Sequence, residues 1–296
     1  KNKGLYSNLL ANPMVYFQKT LLETIFQKNP RRSFPNAADF DKINFDKSIS
    51  FYKDRFNNAG DFNFVIVGNV DTEALAPLVE QYIASLPTTG KKETWKDPKV
   101  AVAKGKVNNE VTMGAAPKTN ALFFYSGAKT WTKSENVIFS VMSDVLSIKL
   151  RESLREDKGG VYGVRVSSDF SRIPTAEYST LITYNADPSK AAEIESAAMT
   201  VIEDIKKNGI DEATLNKVKE TLKRGIETSI KENGFWVEEI IESITFNEAL
   251  RNTEEYVKAV QAVTPAQIQK AAQEYLKGDN FIRVIMSPEA EVEEQK

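Results

Sequence analysis

Leu150-Arg151-Glu152-Ser153-Leu154-Arg155-Glu156-Asp157-Lys158-Gly159-Gly160-Val161-Tyr162-Gly163-Val164 is the stretch on which the reading of this chain turns. Upstream of it, Val137, Ile138, Val141, Val145, Ile148 and Leu154 make the inward stripe of a long helix starting at Ser134. The Gly159-Gly160 pair breaks that helix, because glycine supplies the backbone angles of a sharp turn. An apolar, β-branched strand follows to Asp169. The break predicts Arg155 near a helix C-terminus and Tyr162 at the mouth of a strand. No other stretch brings a permanent cation and a phenol so close to one turn.

Working outward, 105–114 and 120–128 read as paired strands, and Tyr178–Asn185 as the strand after 161–169. Asp187-Pro188 opens a helix with its cap and N1 proline in order, and Gly209 closes it with positive φ. Asp211 caps the next helix. Thr264-Pro265-Ala266-Gln267 is a capping box for a helix that stops by Gly278. Phe281–Met286 is a final strand, followed by an acidic tail.

Toward the N-terminus, 5–28 reads as helix with a break near Pro13, and Asp46 can cap a helix bearing Ile49, Tyr52 and Phe56. Phe62-Asn63-Phe64-Val65-Ile66-Val67-Gly68 reads as a strand. An amphipathic helix through Leu75, Leu78, Val79, Tyr82, Ile83 and Leu86 follows. Pro87 to Pro98 is a linker, with Trp95 as its one bulky apolar residue and the expected pin against a lobe. These elements give an α+β fold, with mixed or antiparallel sheets and helices packed on one face. The boundaries fall at 1–89, a linker at 90–100, and 101–296. A lone strand in 1–89 cannot make a sheet, so this part reads as the back half of a unit that begins upstream.

Composition narrows the chemistry. The 296 residues carry a formal net charge of −2, which gives no electrostatic case for nucleic acid. No apolar run reaches the ~20 residues of a membrane-spanning helix. The chain has no cysteine and no histidine. A serine triad, a cysteine–histidine pair and the usual catalytic zinc site are therefore impossible within it. Phe235 and Trp236 read as packing residues, and Glu238-Glu239 and Glu291, Glu293 and Glu294 as solvated acids.

The turn at 150–164 resembles the C-terminal half of the pitrilysin/insulinase family of zinc metallopeptidases, in particular its large bacterial periplasmic members. So do Phe51-Tyr52-Lys53-Asp54-Arg55-Phe56, Phe64-Val65-Ile66-Val67-Gly68-Asn69-Val70-Asp71, Tyr82–Pro87, Asn233-Gly234-Phe235-Trp236 and Ala262-Val263-Thr264, in that order along the chain. The resemblance implies the metallopeptidase fold of the LuxS/MPP type. Four related units form two halves that close around a peptide chamber, with residues 1–89 as the tail of the third unit and 101–296 as the whole fourth. It implies no cofactor and no metal in this chain, and zinc in an upstream half, whether on the same chain or a partner subunit. It implies peptide substrates, no nucleic acid, no membrane insertion, and a periplasmic or secreted location.

In the family an arginine and a tyrosine seven residues apart reach across the chamber to the scissile carbonyl. Arg155 and Tyr162 match that spacing and context; Arg151, on the same helical face, competes for the first role. The residue types suit the task. A phenol, with a pKa near ~10, stays protonated at neutral pH and can donate, and a guanidinium is always charged. A donor fixed where negative charge develops stabilises the transition state more than the ground state.

The resemblance makes the chain the non-zinc half of a metalloendopeptidase, inactive alone. A non-catalytic scaffold or peptide-binding subunit of the same fold is the alternative. A third reading, likeness of fold alone, expects Tyr162 to be buried and Arg155 to be salt-bridged to Glu152 or Glu156.

Overall fold

The protein is described by a computed structural model covering residues 2–157 and 161–289. The expected Gly159-Gly160 turn and the tail acids Glu291, Glu293 and Glu294 lie outside the described residues.

Phe281–Ser287, strand β5, is largely apolar, interrupted on one face by Arg283, and a strand covered on both faces belongs in the middle of a sheet. It pairs in parallel with β1 (Lys106–Thr112) on one side and antiparallel with β2 (Thr119–Ala128) on the other. Strand β4 (Glu177–Ala186) pairs with β2, and β3 (Val161–Ser171) forms the far edge, in the order β1-β5-β2-β4-β3. The expected direct pairing of 105–114 with 120–128 is thus corrected: β5 comes between them. The α+β class, with a mixed five-stranded sheet, stands as read.

One sheet face carries Phe123, Ile182 and Tyr184, all buried. Helices α5 (Lys133–Arg151), α6 (Ala191–Asn208) and α10 (Pro265–Tyr275) form the layer associated with this face. Phe139, Phe170, Tyr178 and Tyr275 interlock there at tilted or edge-to-face angles. Each such side chain contributes roughly 1.5–3 kcal/mol by leaving water. The helix ends follow their capping residues. Thr132 accepts from Glu135 N, Gly209 has φ +74°, and Thr264 and Gln267 form the reciprocal box. Asp211 accepts from Thr214 N at the start of α7 (Glu212–Ser229).

The other face is covered only in part. The expected helix over 5–28 is two helices, α1 (Asn2–Leu9) and α2 (Pro13–Ile25), the second capped by Asn12 with Pro13 in its first turn. Phe17 and Ile25 of α2 join Leu122, Phe124, Ile282, Val284 and Met286 in one core cluster. Asn109 Nδ2 also donates to Thr24 Oγ1 at 2.8 Å.

The chain contacts divide into two compact units, one of 1–37, 97–222 and 257–296, the other of 38–96 and 223–256. Residues 1–37 go with the sheet because Phe17 and Ile25 enter its core, whereas the sequence grouped them with 38–89.

The second unit holds α3 (Phe45–Phe56), α4 (Thr72–Val79) and α8 (Asn233–Phe246), and α9 (Thr253–Ala262) begins in it. Four expectations are corrected here. Asn44, not Asp46, caps α3, accepting from Lys47 N at 2.9 Å. Residues 62–68 form no ladder among the described residues, since no strand lies beside them; Phe56, Phe62 and Phe64 instead pack edge to face. Trp95 is 64% exposed, which does not fit the expected pin. The linker is held by Asn58, which takes Thr89 N and gives Nδ2 to the Lys91 carbonyl, and by the Arg55–Glu93 ion pair. Glu239, read as solvated, is only 7% exposed and pairs with Arg251 at 2.8 Å. Phe235 and Trp236 are half-buried, and the Trp236 indole donates to the Ile230 carbonyl.

Candidate functional site

The helix that leads to Arg155 does not simply stop. After Arg151 it widens into a π-helical turn, Glu152–Asp157. Such turns are frequent at functional sites, and a second one lies at Glu80–Ala84. Leu154 is fully buried and anchors the turn, while its neighbour Arg155 is exposed. Among the described residues Arg155 makes no ion pair. Glu152, one of the two partners expected if the likeness were of fold alone, bonds to Lys149 and Lys217 instead; the side chain of Glu156, the other, lies outside the described residues. Arg151 is exposed as well.

Strand β3 packs beside this turn. Its pairing with β4 slips at Tyr162: Val161 faces Ala186 and Gly163 faces Asn185, so Tyr162 is the extra residue of a β-bulge. A bulge re-aims its side chain and bends an edge strand. Tyr162 is accordingly 61% exposed, next to a Val161 that is buried. The ammonium of Lys118, from the turn before β2, lies 4.6 Å from the centre of the Tyr162 ring. An exposed phenol on a bulge, a cation against its ring, and a guanidinium on the adjoining turn, without an ion pair among the described residues, form the candidate site. It can donate hydrogen bonds to an anionic or polarised oxygen. It holds no group suited to act as a base at neutral pH.

Lys118 was not singled out from the sequence. It lies 44 residues before Tyr162, and nothing local links the two.

The donor set does not fit a zinc site. The chain has no histidine or cysteine, and no cluster of acids among the described residues could hold a metal ion. No described helix is long and apolar enough to cross a membrane.

The profile of the family described as "Peptidase M16 inactive domain" matches residues 42–222, and the chain belongs to that family. A probable zinc protease PqqL of Haemophilus influenzae is 27% identical over 212 residues, covering 68% of this chain and 22% of the relative. The chain thus spans under a quarter of that protein. The crystal structure of the periplasmic protease PqqL from Escherichia coli superposes with TM-score 0.77 at 17% identity, over 97% of this chain and 32% of that one. A peptidase M16 inactive domain from Pseudomonas fluorescens gives 0.73 at 18%, over 97% and 68%. At these identities the structural likeness concerns the fold. The resemblance to the C-terminal half of pitrilysin-type peptidases is borne out.

Proposed function

We propose that this chain is the non-zinc half of a metalloendopeptidase, forming the far wall of a peptide chamber. Residues 1–89 are read as the end of the third family unit, 90–100 as linker and 101–296 as the fourth. The exposure of Tyr162 on its bulge carries the reading. A tyrosine kept for packing would be buried, and a bulge on an edge strand costs ladder hydrogen bonds that a purely structural strand keeps.

In this reading Tyr162 donates its hydroxyl to the scissile carbonyl oxygen as negative charge builds there, and Arg155 holds a neighbouring carbonyl of the peptide. Both interactions strengthen toward the transition state. Edge strand β3 offers free backbone groups on which an extended peptide can add as a further strand. Zinc belongs to the upstream half, and the name of the Escherichia coli neighbour favours a periplasmic setting.

The test mixes this chain with the half encoded upstream and follows cleavage of a quenched fluorescent peptide, with and without chelator. Chelator-sensitive cleavage in the mixture alone, strongly reduced by Tyr162→Phe, is expected. A stable complex that cleaves nothing across a broad peptide set replaces this reading with the scaffold one.

A further inference from the structure

Helix α2 leaves the β4 and β3 end of its sheet face open. A cavity of about 660 Å³ lies there, walled by Met14, Phe17 and Leu21 on one side. Its floor is polar and ordered by the strand register. Asn120 faces Asn185 across β2 and β4, and Asn185 faces Gly163 on β3; one row along, Thr183 faces Arg165. Cross-strand neighbours sit about 5 Å apart, so these groups make one surface. Above Gly163 the space is open, as a Cβ there would meet nothing within 4 Å.

Two features of this floor call for a ligand. Among the described residues, the side chains of Asn120, Thr183, Asn185 and Arg165 make no hydrogen bond or ion pair. Asn185 Oδ1 is buried and accepts nothing. A buried acceptor without a donor is costly, and a bound group that brings an N–H removes the cost. The lining also contains one cation, Arg165, and no acid. A guanidinium in an acid-free, partly apolar hollow is complementary to a carboxylate.

We infer that this cavity is a subsite for an acidic residue of an extended peptide. Its main-chain N–H would meet Asn185, its carboxylate Arg165, and its neighbouring apolar side chain the wall from Met14 to Leu21. The inference rests on the peptide-chamber reading, since the floor begins one residue after Tyr162. It adds a preference that Tyr162 and Arg155, which touch only the peptide main chain in that reading, cannot supply.

The test uses the 296-residue chain alone and fluorescence anisotropy. The probes are three fluorescein-labelled octapeptides of alanine and leucine, with a central glutamate, glutamine or lysine. The glutamate peptide is expected to bind about tenfold more tightly than the glutamine one, with the advantage shrinking in high salt. Arg165→Gln should erase that advantage, and Arg165→Glu should transfer it to the lysine peptide. Asn185→Leu should weaken all three peptides alike, its fold checked by thermal melting. Arg165 is exposed, so its variants keep the fold. Equal binding of the three peptides, no binding, or a preference untouched by Arg165→Glu overturns the subsite. Loss of the preference with cleavage intact in the mixed-half assay removes this inference alone. A preserved preference without cleavage removes the catalytic reading alone.

Discussion

The Lys118 ammonium sits 4.6 Å from the centre of the Tyr162 ring, joining the turn before β2 to the bulge in β3. An exposed cation–π contact contributes roughly 0.5–1 kcal/mol. Its value here is positional, since it limits where an otherwise solvent-exposed phenol can point. In the proposed two-half peptidase, Lys118→Ala should lower kcat/KM by about two- to fivefold. Lys118→Arg should restore most of it, because a guanidinium also stacks on an aromatic face. Equal rates in all three proteins would remove Lys118 from the site.

Tyr162→Phe keeps the ring and its cation contact but loses the donor. Removing one donor to a developing oxyanion costs about 10²–10³ in kcat. A loss of that size is expected, with the melting temperature of this chain almost unchanged because Tyr162 is mostly exposed. A drop in stability as large as the drop in rate would point to a packing role instead.

Asp211 provides a pH signature for the fold. Hydrogen bonds from the Thr214 backbone and hydroxyl, with help from Lys149, hold its carboxyl down at about 2, below the ordinary 3.8. A carboxylate with a depressed folded-state pKa stabilises above its unfolded value. That contribution is lost as pH falls from about 4 to about 2. Asp211→Ala should therefore cost about 1 kcal/mol at neutral pH, as for other lost helix caps. The gap between the two proteins in urea unfolding should close across that acid window.

Glu239 is buried and depends on Arg251, which also reaches Glu242 at 3.6 Å. Arg251→Met leaves a buried carboxylate without its cation, and should cost about 2–3 kcal/mol in denaturant unfolding. The double variant Glu239→Leu/Arg251→Met should recover much of that loss, because no charge is then stranded. A double variant no better than the single one would show that Arg251 acts through packing on Tyr256, against which its guanidinium also lies.

Much of the architecture follows from local chemistry that a sequence displays. Thr264 with Gln267, Asp211 with Thr214 and Gly209 act within one or two helical turns, so the residue types alone locate the helix ends. The absence of histidine and cysteine excludes the usual zinc site without any coordinates. The placement of Arg155 after a long helix and of Tyr162 at the start of a strand was legible because those elements are contiguous in the chain. Alternation in β4, with Ile182 and Tyr184 inward against Thr183 and Asn185, was equally visible as a pattern. Its meaning was not, because a polar strand face reads as solvated until a helix is found beside it.

What the tertiary structure decided are relationships between distant segments. Only it inserted β5 between β1 and β2, since strand order depends on which apolar faces meet and not on chain order. Only it brought α2 onto part of the sheet, leaving Arg165 and Asn185 beside a cavity. Residues 62–68 have the composition of a strand and form no ladder among the described residues, because a ladder needs a second strand. The bulge that exposes Tyr162 is likewise a mismatch in count between two paired strands, a quantity that neither strand contains by itself.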